Sequence, residues 1–178
     1  MFLDVFEAVR AWNDPALTQQ LKDHLATLPD PSLAPFAGTL HGGNPLKGKD
    51  LFNNHLAAQC VRCHAVGPGG SGVGPNLVGI GTKDPAYLLA ALVQPGRDIA
   101  PGFGFTTVTF TDATTLSGLL EKESSEQVSV RLASGYLREI ARSKIETISP
   151  PVSSMPPMGG ILTQKELRDV LAYLQSLK

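Results

Sequence analysis

Cys60-Val61-Arg62-Cys63-His64 is the stretch on which the interpretation of this 178-residue chain depends. The C-x-x-C-H spacing is the attachment signature of c-type haem, because two thiols three positions apart can each add to one vinyl group of the porphyrin. The histidine that follows can then bind the iron as an axial ligand. Both cysteines of the chain lie in this stretch. The sequence therefore predicts one covalently attached haem c, with His64 as a ligand of its iron.

Two other chemistries use a C-x-x-C pair, and the five residues alone leave them open. A thioredoxin-like redox pair belongs to a βαβ setting and does not require the histidine. A structural zinc site needs four ligands. Here these would be Cys60, Cys63 and His64 with one of the other histidines, which are His24, His41 and His55. A zinc site would give no visible absorption, so a haem stain distinguishes it from a haem site.

Composition argues against several classes of function. The net charge is -1, so no long-range field favours nucleic acid or an anionic membrane. No apolar run approaches the roughly 18 residues that span a bilayer. Asp4 and Glu7 interrupt the apolar start of the chain, and no basic region precedes it, so it is not a signal peptide. Because haem c is normally attached outside the cytoplasm, we expect a periplasmic or otherwise exported protein. Either its export signal was removed or this chain is a piece of a longer protein, and we favour the second explanation.

Helical spacing and capping residues divide the chain into helices and loops. Thr163 and Glu166 have the spacing of a capping box before a final leucine-rich helix. A glycine-rich loop is expected over residues 65–83. The other predicted helices cover residues 2–12, Pro15 to about Leu28, Pro45 toward His55, and Pro85 up to Pro95-Gly96. We expect residues 1–40 to be a helical lead-in and linker, and residues 41–178 to form the main domain.

The spacing of apolar residues changes from helical to alternating, and this change marks an insertion in this domain. Residues 107–110 and 127–132 alternate polar and apolar side chains, which is typical of strands with one buried face. Polar turns at residues 121–126 and 133–135 separate the alternating segments. The pattern predicts three to five short strands, a small antiparallel meander over about residues 104–148.

The second axial ligand of a six-coordinate haem is usually methionine or histidine. Met155 and Met158 lie in the proline-rich loop of residues 154–160, just before the final helix. Thioether sulfur is a weak donor, and a stiff loop helps to hold it on iron. We expect Met155 to be the ligand and Met158 to pack nearby. Met158 is the first alternative, and a second histidine is the other, from His24, His41 or His55.

Several motifs, taken in order, resemble class I cytochrome c. They are Gly48-Lys49-Asp50-Leu51-Phe52, Cys60 to His64, Gly74-Pro75-Asn76-Leu77, Met155-Pro156 and Ala172-Tyr173-Leu174. With residues 99–103 (Ile-Ala-Pro-Gly-Phe) and the β insert, the chain is most similar to the haem-binding domain at the C-terminal end of large exported proteins. In those proteins the domain follows propeller-type dehydrogenase and helical-repeat domains. The resemblance covers about residues 40–178.

This resemblance implies a fold, a site and a function. The fold is mainly α: a cytochrome c fold with an inserted small antiparallel β meander and an N-terminal helical extension. Cys60 and Cys63 carry the thioether bonds, His64 and Met155 bind the iron, and the Pro75 carbonyl accepts the His64 Nδ1–H. The implied function is electron transfer from a partner or fused dehydrogenase, without enzyme activity of its own. The alternative is a haem enzyme with an open distal site, peroxidase-like or binding small gases.

Overall fold

The computed structural model describes residues 2–28, 30–69 and 72–178. Met1, Pro29, Gly70 and Ser71, which fall in the predicted lead-in, linker and glycine-rich loop, lie outside the described residues. The chain divides into two compact units. We call Met1–Gln94 with Pro157–Lys178 the helical unit, and Pro95–Pro156 the sheet unit.

The α-helices begin at the capping residues that the sequence indicates. Asn44 and Asp84 each accept backbone N–H bonds from the first turn that follows, and each is succeeded by proline. Thr163 and Glu166 form the expected capping box. The residues that the structure describes contain α1 (Phe2–Trp12), α2 (Pro15–Ala26), α3 (Pro45–Asn54), α4 (Pro85–Val93) and α5 (Gln164–Ser176).

Close contact between α3 and α5 organises the helical unit. A Cβ atom at Gly48 would overlap the carbonyl oxygen of Asp169, so only glycine lets the two backbones approach this far. The Phe52 and Tyr173 rings meet edge to face at 5.5 Å between centroids, a favoured aromatic geometry. Asp169 is buried, and its Oδ1 accepts the Asn44 N–H at 2.8 Å. This bond connects the start of α3 to the middle of α5.

The N-terminal residues pack into the same unit. Leu3 of α1 is 0% exposed and Phe6 is buried with it. Both approach Gly38, which belongs to a 3-10 helix over Pro31–Thr39. Lys165 of α5 lies 3.8 Å from the Glu7 carboxylate of α1. The lead-in is therefore held by buried apolar side chains as well as by surface charge.

The sheet unit is a six-stranded antiparallel sheet within the described residues. Its strands are β1 (Gly104–Phe110), β2 (Thr115–Glu123), β3 (Gln127–Arg131), β4 (Leu137–Ala141), β5 (Ile145–Ile148) and β6 (Val152–Ser153). The hairpin-connected strands give the order β4-β3-β2-β1, and β5 then returns to pair with the free side of β1, where β6 also pairs.

The sheet curls around a core of its own. Val108, Val128, Val130 and Ile140 are buried together on one face. The Arg138 guanidinium of β4 lies 5.8 Å from the centre of the Phe110 ring of β1, although β1 and β4 are not neighbours in the sheet. Curling brings the two strands together, and bulges in the β1–β5 and β2–β3 pairings accompany it.

The predicted fold class, mainly α with a small meander, is wrong. Helix makes up 43% of the chain and strand 18%, and the strands form one six-stranded sheet. Alternation identifies which segments are extended, but it does not identify their partners. It therefore did not predict that β5 returns to β1. The two-residue β6 follows Pro150 and Pro151 and is too short to show a period.

Candidate haem-attachment site

The C-x-x-C-H stretch forms a tight turn. A 3-10 helix covers Cys60–Arg62, and side chains at positions i and i+3 of a 3-10 helix lie on the same side. The N–H of Cys63 donates to the Cys60 carbonyl at 3.2 Å, and that of His64 donates to the same carbonyl at 2.9 Å. The turn therefore places Cys60 and Cys63 side by side, with His64 directly after them.

Both cysteines are half-buried. Burial raises the pKa of the Cys60 thiol, and the neighbouring Cys63 raises it further. A redox-active C-x-x-C pair has a lowered thiol pKa, since its thiolate is the nucleophile. The raised pKa of Cys60 is the opposite of what the thioredoxin-like alternative requires.

The imidazole of His64 is oriented by the loop that follows it. Its Nδ1 lies 2.9 Å from the carbonyl oxygen of Pro75. A carbonyl only accepts hydrogen bonds, so Nδ1 carries the proton. In the neutral ring Nε2 is then proton-free and has a lone pair for a metal, and the carbonyl raises the basicity of the ring.

Gly74 gives the loop room to approach this ring. A Cβ atom at Gly74 would lie 3.0 Å from His64 Cε1 and 3.1 Å from the Cys63 carbonyl oxygen. The Gly74 N–H donates to that same carbonyl at 2.9 Å. The sequence interpretation assigned no role to Gly74, although its place directly before Pro75 was the available signal.

Asn76 and Leu77 fasten the loop to the residues after His64. The Asn76 side-chain amide donates to the Gly67 carbonyl at 2.6 Å. The Leu77 N–H donates to the Ala65 carbonyl at 2.8 Å. These bonds close the loop around the His64 ring and keep the Pro75 carbonyl in place.

Large apolar side chains around the turn face solvent. Leu56 is 88% exposed and Val78 is 63% exposed, and Val61, Val66 and Val73 are exposed as well. A folded domain seldom leaves so much apolar surface in one segment without a ligand or partner to cover it. Two thiols, one imidazole lone pair and apolar surroundings fit a covalently bound haem c. Among the described residues no group of three or more His, Cys, Asp or Glu side chains is arranged to hold a metal ion.

The two loop methionines have different surroundings. Met158 begins a 3-10 helix (Met158–Gly160) in the helical unit, and its side chain is only 3% exposed. Met155 belongs to the sheet unit and is half-buried. Its backbone N–H donates to the Ser153 hydroxyl at 3.1 Å.

The other histidines lie in different parts of the helical unit. His24 is an exposed residue of α2, with its ring edge-on to Phe6 at 6.2 Å between centroids. His41 is exposed. His55 ends α3, and its Nδ1 accepts backbone N–H bonds from Ala57 and Ala58.

A family model described as Cytochrome c matches residues 46–178. The chain belongs to the cytochrome c family. Membership in this family means a covalently bound haem c and electron transfer through its iron. Cytochrome c domains generally act as electron-transfer modules with redox partners, and c-type cytochromes are commonly exported. No curated protein matches the chain. In the described part of this cytochrome c, no helix has the length and apolar character needed to cross a membrane.

Proposed function

We propose that the chain relays electrons through one haem c that is bound to Cys60 and Cys63 and ligated by His64 and Met155. The bond between His64 Nδ1 and the Pro75 carbonyl carries this proposal. It leaves His64 Nε2 without a proton beside two thiols in the same turn. The haem supplies a one-electron ferrous/ferric couple.

The residues of the chain keep the site from rearranging during electron transfer. The Pro75 carbonyl fixes the tautomer of His64, and Gly74 lets the loop lie against the ring. The valines around the turn provide apolar cover. Apolar surroundings and methionine ligation both raise the reduction potential.

Surroundings and sequence favour Met155 over Met158 as the second ligand. The Met158 side chain is buried within the helical unit, where it fills space, the usual role of methionine in a core. Met155 is less buried, and Pro156 and Pro157 stiffen the chain directly after it. In the resemblance to class I cytochrome c, the Met155-Pro156 pair takes the ligand position.

Spectra of two matched variants test this assignment. We expect Met155→Leu to abolish the weak red charge-transfer band of thioether-ligated ferric haem and to lower the reduction potential, because methionine favours the ferrous state. Met158→Leu removes the other sulfur with little change in volume and should keep the band. Loss of the band in Met158→Leu alone would overturn the assignment.

The chain's wider setting is part of the proposal. We propose that residues 41–178 form the cytochrome c domain, that residues 1–40 are its lead-in, and that the electron donor is a partner or fused dehydrogenase outside the cytoplasm. The support is the resemblance to exported proteins with a C-terminal haem domain, together with a family match that starts at residue 46. Peptide mapping of the native protein from a periplasmic extract tests this. Recovery from the cytoplasm would contradict the location.

A further inference from the structure

We propose that His55 is a positioning residue that holds the haem-attachment turn in shape through its Nδ1, while its Nε2 faces the start of α5. The proposal rests on haem attachment at Cys60 and Cys63. His55 does not bind the iron in this account. It acts on the backbone that presents the two thiols.

His55 serves as an acceptor for the backbone of the next turn. Its Nδ1 lies 3.2 Å from the Ala57 nitrogen and 3.0 Å from the Ala58 nitrogen. Both partners are donors, so Nδ1 has no proton and the neutral ring carries its proton on Nε2. His55 and His64 are therefore opposite tautomers. His64 keeps Nε2 free for iron, whereas His55 uses its only lone pair on the backbone.

The turn between His55 and Cys60 has an unfavourable backbone geometry. Gln59 adopts φ 45° and ψ 43°, the left-handed region that non-glycine residues seldom occupy. Its N–H donates to the His55 carbonyl at 3.0 Å, and its side-chain amide donates to the Leu56 carbonyl at 2.7 Å. The Arg62 guanidinium donates to the Gln59 side-chain oxygen at 2.6 Å. Such a conformation persists only when several bonds define it. The two backbone N–H bonds that His55 Nδ1 accepts belong to this set.

The other ring nitrogen faces the cap of α5. Nε2 of His55 lies 3.7 Å from Oε1 of Glu166. The second oxygen of the same carboxylate, Oε2, accepts the Thr163 N–H at 2.9 Å in the capping box. The His55 side chain is 17% exposed, so its ring is enclosed between the two elements. One imidazole thus spans the end of α3, the attachment turn and the start of α5.

Three variants separate the two contacts of His55. His55→Asn places an amide oxygen near the position of Nδ1, so it keeps an acceptor for Ala57 and Ala58 but does not reach Glu166. His55→Leu keeps apolar bulk and removes both contacts. Glu166→Gln keeps a side chain that serves in capping boxes and replaces the carboxylate that faces Nε2 with a neutral amide.

Amide exchange and electrochemistry of the holoprotein provide the test. In His55→Leu we expect the amides of Ala57 and Ala58 to exchange about tenfold faster, as expected for a lost hydrogen bond. We also expect a lower reduction potential, because a looser turn admits water near the iron. His55→Asn should restore both properties. Equal behaviour of the Leu and Asn variants would overturn the proposal.

Nitrogen NMR of the ferrous wild-type protein tests the geometry even if His55→Leu does not fold. The expected result is an Nε2–H tautomer for His55, and an Nδ1–H tautomer would refute the proposal. Glu166→Gln should shift the Nε2 resonance and leave the exchange of Ala57 and Ala58 unchanged, whereas faster exchange would contradict the division of roles. The haem premise is checked separately by the mass of the wild-type protein, since absence of covalent haem there defeats the proposed function itself.

Discussion

The core of the sheet unit and the C-x-x-C-H segment of the helical unit differ in how completely neighbouring residues cover their apolar side chains. In the sheet unit Val108, Val128 and Val130 are fully buried by neighbouring strands. In the helical unit the segment that contains the C-x-x-C-H turn leaves Leu56 and Val78 largely exposed. From this difference we expect the sheet core to form from the chain alone and the attachment segment to depend on the proposed haem for its cover.

Removing the thiols of Cys60 and Cys63 should show the difference between the two units most clearly. In a variant with Cys60→Ser and Cys63→Ser, we expect residues 56–81 to lose most of their protection from hydrogen exchange, because the haem proposed to cover this segment is no longer bound covalently. The strands β1–β4 should retain theirs. The measurement is exchange by mass spectrometry on the whole chain. Equal loss of protection in both units would contradict the comparison.

Truncating a side chain of the sheet core should have a smaller effect, and this effect should lie in the sheet unit. Val130→Ala removes two methyl groups from a side chain that is fully buried, and we expect a loss of about 2 kcal/mol in stability. Faster exchange in β2, β3 and β4 would locate the effect. The exposed Val152 provides a control, since Val152→Ala should cost less than about 0.5 kcal/mol. Similar losses from both variants would disprove that this core is self-sufficient.

The cap of α5 should give the smallest effect, and one that depends on pH. Bonds from the Thr163 N–H and hydroxyl lower the pKa of Glu166 from its usual 4.5. A carboxyl with a lowered pKa stabilises the fold above the unfolded value, and this stabilisation is lost as the pH falls through the folded value. We expect Thr163→Ala to lower the free energy of unfolding by about 1 kcal/mol at neutral pH. The loss should be smaller at pH values far below 4.5.

The free energies of unfolding of the wild type and the Thr163 variants, measured by denaturation at neutral and acid pH, check this prediction. Thr163→Ser retains a hydroxyl and should stay close to the wild type. A loss in Thr163→Ala that is the same at both pH values would show that the bond to the ionised Glu166 is not its source.

Local chemistry was enough to predict much of the helical unit. Asn44, Asp84 and Thr163 mark helix starts because their side chains bond to backbone groups only two or three residues away. The C-x-x-C-H spacing predicts haem by the same kind of short-range argument. Each of these signals lies within a few residues of the feature that it predicts.

Contacts between distant residues were beyond this kind of reasoning. The pairing of β5 with β1 depends on where the chain returns after Lys144, and no periodicity encodes that. Gly48 appears as a motif residue, but the reason for it is the backbone of Asp169 across the helix pair. His55 was considered only as an alternative ligand, because a sequence does not show which ring nitrogen the backbone occupies.

A redox titration of the holoprotein, followed by absorption, tests the central claim most directly. A closed site with His64 and a methionine as ligands predicts a single one-electron transition, low-spin iron in both oxidation states and no spectral change when carbon monoxide is added to the ferrous protein. High-spin ferric iron, with carbon monoxide binding on reduction, would instead show an open distal site and contradict the assignment as an electron relay.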